Sequence, residues 1–418
     1  MKSIAEQAWF HDPALRAVLD LLNADGGEAR IAGGAVRNAL MGLAISDADI
    51  ATTLLPEAVM ARAKAAGIKA IPTGIDHGTV TLVVEGRPFE VTTLRHDAET
   101  DGRRAKVVFG TDWQADAERR DLTINGLYAD RHGHVIDLVG GLADIETRTV
   151  RFIGEADQRI AEDYLRILRF FRFFAWYGGG RPDADGLRAC VRGRQGLKGL
   201  SAERIWAELK KILAAPDPGR ALLWMRQTGI LTDILPESEK WGIDAIPGLV
   251  ATEAALKWFP DPLLRLAAII PPDEARIAEL AERLRLSKAE TATLTEWAAA
   301  PAANPEITDA VFARELYRHG QGGLQRRLRL ALSSARAQAV NDDAALMKAG
   351  RISNLLSQAE RFERPRFPLT GGDLLKAGIA AGPKVGALLQ TLENQWVEMN
   401  FSLSREKLLE RLEKLKDV

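Results

Sequence analysis

The chain has 418 residues, with 56 Lys and Arg against 57 Asp and Glu, so its formal net charge is −1. Its composition, 46% hydrophobic and 27% charged, is that of a soluble globular protein of about two to four domains, and its longest apolar runs, such as 263–270 with Arg265 inside it, are far shorter than the roughly 20 residues of a membrane span. The even balance excludes a polyanion binder whose whole surface is basic, while the single cysteine, Cys190, excludes an internal disulfide and, with an N-terminus lacking the apolar core of a signal peptide, points to a reducing cytoplasm.

Charge is segregated along the chain. Residues 1–150 hold 16 basic and 22 acidic side chains, residues 151–233 hold 15 and 10, and the remainder holds 25 of each. A metal-binding head beside an anion-binding neck would give this pattern; so would scatter over solvated surfaces.

In chain order, 30–32 reads as a short strand ending at Gly33-Gly34, and 35–41 as a helix with Gly42 as its C-cap. Residues 45–52 alternate as a strand, and an Ala-rich helix over 55–66 starts at Pro56. Strands over 79–84 and 89–94 predict a hairpin around Glu85-Gly86-Arg87-Pro88. Residues 96–118 are polar and without a period, as in a mobile loop, and 135–138 give a last short strand. After Arg151 strand signals nearly vanish. Helices are predicted over 155–176, 202–214, 219–228, 263–270, 273–284, 288–300, 310–319, 324–340, 344–361 and 385–415, with Pro and Gly between them. The chain therefore reads as an α/β or α+β unit followed by an all-α remainder.

Four constellations carry candidate chemistry. In Gly33-Gly34-Ala35-Val36-Arg37, two glycines between strand and helix let backbone N–H groups approach a phosphate, and Arg37 can add a charge-assisted fork. Such a turn is weak evidence alone. Asp47 and Asp49 follow; two apart on a strand, they face one side. Mg²⁺ needs only one or two protein carboxylates when substrate phosphates complete its shell, although an isolated pair of this kind is usually a solvated turn. Glu90, in Glu90-Val91-Thr92-Thr93, shares a face with Thr92; it either completes a carboxylate cluster or is an exposed strand residue.

The third constellation is Arg119-Arg120-Asp121-Leu122-Thr123-Ile124-Asn125, whose arginines could hold a triphosphate and whose Asp121 suits a helix N-cap. The fourth runs from Glu162 to Arg172. On one helix, Asp163 and Arg166 are neighbours at i, i+3, and Arg169 and Arg172 continue the step. Three arginines on an otherwise apolar, aromatic helix are costly to bury without an anion. His132-Gly133-His134 reads as a turn rather than a zinc site, since no Cys supports it.

Together these motifs resemble, over about residues 25–215, class II tRNA nucleotidyltransferases: the bacterial and eukaryotic CCA-adding enzymes and their poly(A) polymerase relatives. The C-terminal half shares only its helical character. The resemblance implies an α+β fold, with an N-terminal polymerase β-like nucleotidyltransferase head (mixed sheet with helices, 1–145) followed by an all-α neck reading the base (146–233), body (234–305) and tail with tRNA contact (306–418). It implies that Gly33, Gly34, Arg37 and Arg120 contact nucleotide. Asp47 and Asp49, with Glu90 as a third candidate, would hold catalytic Mg²⁺, while Asp163 and Arg166, followed by Arg169 and Arg172, would read the incoming CTP or ATP. Residues 96–118 resemble the family's flexible loop. Asn38 stands where the family motif usually has aspartate, which removes a charge but no metal ligand.

The base-reading role has a physical basis. Cytosine and adenine both present an amine donor beside a ring-nitrogen acceptor, which an Asp163 acceptor and an Arg166 donor complement. Uracil and guanine reverse both groups, and lost hydrogen bonds in such a site discriminate by roughly 10⁴-fold.

The tRNA 3′ end must also be held. Arg314, Arg318, Arg326, Arg327, Arg329 and Arg336 cluster with only Glu315 between them, as either a phosphate-binding patch or a solvated helix face. The alternatives are a poly(A) polymerase, a CC-only or A-only enzyme, and a non-catalytic RNA-binding module. Poly(A) polymerases typically carry a Gly-Arg-Arg-Phe-like strand where this chain has 72–79, and intact Asp47 and Asp49 oppose the non-catalytic reading. Oligomeric state is not legible.

Overall fold

Alternating short strands and helices in the first 150 residues close a mixed sheet, and the chain beyond it is helical. The computed structural model describes residues 2–97, 107–239, 242–339 and 342–416. Two compact units form: residues 1–201 with 227–233, and residues 202–226 with 234–418.

In the first unit, β1 (Ala29–Ala32), β2 (Ile50–Thr52), β3 (Lys69–Gly74), β4 (Thr79–Val84), β5 (Arg87–Thr93), β8 (Leu127–Ala129) and β9 (Val135–Asp137) form a seven-stranded sheet, ordered β3-β4-β5-β2-β1-β8-β9. β6 (Arg95–Asp97) and β7 (Val107–Phe109) pair separately. Every pairing is antiparallel except β2 with β5, which run parallel with Ile50 opposite Val91. Helices α1 (Pro13–Leu22) and α3 (Pro56–Ala65) pack on the sheet, and α2 (Gly34–Leu40) lies against β1 and β8.

The hairpin turns at Glu85-Gly86, both at positive φ (51° and 76°), as the right-handed twist of the flanking strands favours in a two-residue turn. Arg87 and Pro88 therefore enter β5. The strand expected over 45–52 shrinks to 50–52. The neighbouring β1 turns away at Gly33, so residues 45–48 have no strand to pair with, and only the Asp49 carbonyl extends the ladder, accepting from Ala32 N–H at 2.8 Å. The loop expected over 96–118 is ordered at both ends, by β6 and β7 and by α4 (Trp113–Glu118), whose N-cap Asp112 accepts from the Gln114 and Ala115 amides. Residues 98–106 lie outside the described residues.

The helix expected over 155–176 is two helices, α6 (Ala156–Glu162) and α7 (Leu165–Tyr177). Asp163 breaks it with an extended backbone (φ −156°, ψ 107°). Its carboxylate accepts from the Leu165 amide at 3.1 Å, the local competition with helical bonding that short acidic side chains offer. The first unit also contains α5 (Gly141–Glu146) and α8 (Ala184–Gly193), which the sequence reading passed over.

Helices, with no strand, make up the regular structure of the second unit among its described residues. Its longest helices, Gln321–Gln338 and Asp343–Arg361, pack together around Leu328, Leu332, Ile352 and Leu355. The helix expected over 385–415 is split into Pro383–Glu398 and Arg405–Lys416, with Asn400 and Phe401 between them at positive φ. Phe401 packs against Tyr317 and Trp396, with ring centroids 5.3 and 5.0 Å away; this burial offsets a backbone conformation that aromatic residues rarely adopt.

Arg265, which interrupts the most apolar run, is 1% exposed and bonds Glu253 at 2.6 Å. Its remaining N–H groups donate to the carbonyls of Leu213, Ala215 and Pro216. Removing one partner from such a buried pair costs about 3–5 kcal/mol, because the other charge is left uncompensated. Glu253→Ala should therefore lower the urea midpoint sharply, whereas the paired change Arg265→Met with Glu253→Leu should recover most of the loss. Equal damage by the single and paired changes would refute the assignment.

Candidate active site

The sheet register assembles the acidic side of the site. Because Ile50 pairs with Val91 across the parallel strands, the residues just before them, Asp49 and Glu90, are neighbours. Asp47, Asp49 and Glu90 are all exposed. Asp47 and Asp49 lie in the segment entering β2 and not on a strand as expected. Partial loss of hydration, then the charges of Glu90 and Asp47, push the Asp49 carboxyl above its ordinary range against the pull of Arg120. The three carboxylates thus repel one another, and a bound cation would relieve that repulsion. Among the described residues no group of three or more His, Cys, Asp or Glu side chains is placed to hold a metal ion by itself.

The basic side forms around the turn after β1. Gly33 has φ 64° and ψ −111°. A Cβ there would lie 3.1 Å from Arg120 Nη1 and 3.4 Å from the Asn125 carbonyl, so the positive φ favours glycine and the space beside it is tight. Arg120 is held by Asp116 at 3.2 Å and by the Tyr128 hydroxyl, also at 3.2 Å. Asp116 itself, buried on α4, accepts from Tyr128 at 2.6 Å and Arg119 at 2.9 Å. Burial alone would raise the Asp116 carboxyl, but Arg120 and Arg119 outweigh it and hold the group below the ordinary carboxylate range.

Arg37 is 6% exposed. It donates to Asn38 Oδ1 from Nε (3.1 Å) and Nη2 (2.9 Å), to the Tyr177 hydroxyl (2.8 Å), and to Asn125 Oδ1. All three acceptors are uncharged. Asn38 also donates to the Ala44 carbonyl at 2.9 Å, a bond an aspartate could not make. Asp121 is not the helix cap expected of it. One oxygen accepts from Asn125 Nδ2 and the Leu122 amide, both at 3.0 Å, and the other from Arg169 Nε at 2.6 Å. A chain of contacts thus runs Arg169–Asp121–Asn125–Arg37. Burial opposes the Asp121 charge, but Arg169 and Asn125 prevail and lower its pKa.

Asp163 and Arg166 do not share a helix face, because Asp163 is the break. Arg166 Nη1 bonds Glu162 and the Arg159 carbonyl. The guanidinium of Arg172 lies over the Phe173 ring, 4.4 Å from its centroid. His134 bonds Asp130 at 3.1 Å within a turn, as expected.

In the second unit the arginine cluster is opposed by more than Glu315. Arg314 and Arg318 meet Glu398, Arg326 lies 3.9 Å from Asp261, and Arg329 lies 3.6 Å from Glu360. Arg327 donates to the carbonyls of Ala298 and Ala300. Sequence neighbours alone could not reveal these acids, which arrive from other helices. Asp116, Asn125, Phe173 and Tyr177 were also missed as parts of the site; Asn125 lies within a quoted motif and Asp116 stands four residues before Arg120, whereas nothing local marks Phe173 and Tyr177.

Two family models match this chain: the poly(A) polymerase head domain over 29–151 and the probable RNA- and SrmB-binding site of polymerase A over 183–241. The mouse mitochondrial CCA tRNA nucleotidyltransferase 1 is 35% identical over 409 residues, covering 96% of this chain and 90% of the relative. The CCA-adding enzyme of Geobacillus thermodenitrificans strain NG80-2 is 40% identical over 228 residues, 54% of this chain and 55% of that one. Among solved structures, the Bacillus stearothermophilus CCA-adding enzyme in complex with CTP superposes with a TM-score of 0.69 at 28% identity, over 97% of this chain and 98% of that one.

Asp116 and Asp121 are both held below their ordinary range, so the stability they contribute is complete above the unfolded-state value of about 3.9 and is lost as pH falls through their folded values. Between pH 5 and 3, wild-type urea stability should drop more steeply than that of Asp116→Asn or Asp121→Asn. Parallel pH profiles would contradict the assignment.

Proposed function

Because this chain belongs to the CCA-adding tRNA nucleotidyltransferases, we propose that it adds C, C and A to the 3′ end of tRNA from CTP and ATP, without a nucleic-acid template and with release of pyrophosphate. The observation that carries this reading is the nearness of opposite charges: Asp49, with Glu90 and Asp47 beside it, also feels the charge of Arg120, and Arg120 lies with Arg37 beside the Gly33 turn. The acidic set would hold Mg²⁺, which when bound polarises the α-phosphate and favours ionisation of the 3′-hydroxyl. Gly33 and Gly34 let the backbone approach the triphosphate, and Arg37 and Arg120 orient it. Asn38 leaves Arg37 its full charge and still provides an acceptor to fix it.

Asp163 and Arg166 select the base, and Arg169 and Arg172 extend the cationic surface behind it. Arg166 uses Nη1 on Glu162 and the Arg159 carbonyl, which leaves Nε and Nη2 as donors for the ring nitrogen. Rejection of UTP and GTP follows from the opposed donors and acceptors.

We divide the chain functionally into head (1–145), neck (146–233), body (234–305) and tail (306–418). tRNA phosphates meet the tail, where Arg336 is exposed and Arg314, Arg318, Arg326, Arg327 and Arg329 would exchange protein partners for phosphate oxygens. No helix among the described residues is long and apolar enough to cross a membrane. A reducing cytoplasm suits the buried thiol of Cys190.

The test supplies tRNA transcripts ending before CCA, after C and after CC with CTP, ATP or both. Growth to CCA and no further is expected. A long adenosine tract would instead mark a poly(A) polymerase, and arrest after CC a partial enzyme. Asp47→Ala should cut incorporation to below about a hundredth of wild type with unchanged thermal melting; near-normal turnover would sink the metal role. Asp163→Ala should admit UTP and GTP, and undiminished rejection of both would remove Asp163 from base selection.

A further inference from the structure

Three arginines assigned above to nucleotide converge on one aromatic ring that no motif reading singled out. Phe173, 7% exposed on α7, has the Arg172 guanidinium 4.4 Å from its centroid, that of Arg37 at 5.2 Å and that of Arg169 at 5.5 Å. Tyr177, one turn on, stacks with Phe173 (5.7 Å, 29°) and lies 3.9 Å from the Arg37 guanidinium. Its hydroxyl accepts from Arg37 at 2.8 Å. Residues four apart on a helix share a face, so Phe173 and Tyr177 form one aromatic strip beside the Gly33 turn.

The choice of ring over carboxylate has a chemical consequence. Clustered cations repel, and burial deprives them of water. A carboxylate would fix a guanidinium firmly but cancel its charge. An aromatic face attracts the cation through its quadrupole and leaves the charge whole. Asp121 compensates Arg169, whereas Arg37 has only uncharged hydrogen-bond partners. We infer that Phe173 and Tyr177 are positioning residues for the triphosphate: their ring faces hold Arg37, Arg169 and Arg172 together while leaving the Arg37 charge free for a polyanion. Burial and the nearby Arg172 disfavour the Arg37 charge, a strain that an incoming polyphosphate would relieve. The inference rests on the nucleotidyl-transfer reading and adds to it residues that touch neither base nor metal.

The test compares Phe173→Leu, Phe173→Tyr, Tyr177→Leu and Tyr177→Phe in the full chain. Incorporation kinetics are measured with CTP and ATP, and binding of inorganic tripolyphosphate by equilibrium dialysis. Phe173→Leu and Tyr177→Leu should raise KM for both nucleotides by the same factor, roughly tenfold, and weaken tripolyphosphate binding as much. Their kcat should stay within about twofold and their preference for C and A over U and G should not move, because the effect lies at the phosphate end. Phe173→Tyr keeps the ring face and should stay near wild type; Tyr177→Phe loses one hydroxyl and should fall between. Unchanged tripolyphosphate binding in folded Phe173→Leu and Tyr177→Leu would overturn the inference. So would a loss of base preference in place of a common rise in KM. If Phe173→Leu does not fold, the two Tyr177 variants decide. Tripolyphosphate binding is read without turnover, so a wild-type chain that bound it but extended no tRNA would count against the proposed function and leave this inference standing.

Discussion

Burying positive charge is the constraint on which the first unit depends. Arg37 and Arg159 are nearly inaccessible to solvent, and Arg120 and Arg169 are partly so. A guanidinium withdrawn from water needs acceptors for its N–H groups or a compensating field. The fold meets this need in three ways. Asp116 and Asp121 neutralise Arg120 and Arg169. Glu162 pairs with Arg159, whose other N–H groups go to the backbone carbonyls of Arg119 and Arg120. Amide oxygens, a phenol and ring faces receive Arg37. Only the last leaves the charge uncancelled, and it does so next to the Gly33 turn, beside which Arg120 also lies.

The acidic side poses the converse problem. Asp47, Asp49 and Glu90 are all exposed, the aspartates in the segment entering β2 and Glu90 midway along β5, so their mutual repulsion is tolerable because water still reaches them. Their meeting depends on one parallel strand pair in a sheet that is otherwise antiparallel. Had β2 and β5 run antiparallel, Asp49 and Glu90 would lie at opposite ends of the pairing. Strand direction, rather than any local sequence, therefore decides whether Asp49 and Glu90 meet.

Much of this was legible in the chain. Hydrophobic alternation located β4 and β5, the Gly33-Gly34 break located the turn, and the loss of strand signals after Arg151 marked the helical remainder. The motif residues Arg37, Asp47, Asp49, Arg120 and Arg169 do gather in the first unit. The failures have particular causes. Asp163 breaks a helix without Gly or Pro, because its carboxylate competes for a backbone amide. Asn400 and Phe401 end another through aromatic packing that only Tyr317 and Trp396 make favourable. The strand over 45–52 is short for want of a partner, and the second unit's arginines are matched by Glu398, Asp261 and Glu360 from distant segments.

The sequence by itself determined which residue types were available: the carboxylates, the arginines, the glycines that admit a positive φ, and a net charge of −1 split between an acidic first part and a basic segment after it. These follow from composition and short-range order, which covalent neighbours fix. Only the tertiary structure decided the pairing of charges. Asp121 joins Arg169, Asp116 joins Arg120, and Arg37 is left to Asn38, Asn125, Tyr177 and the Phe173 ring. Asp116 and Arg120 are four residues apart, within reach of helix spacing, but Arg169 meets Asp121 across 48 positions and Arg37 meets Tyr177 across 140; charge interactions act through space, so no local pattern could assign those distant pairings.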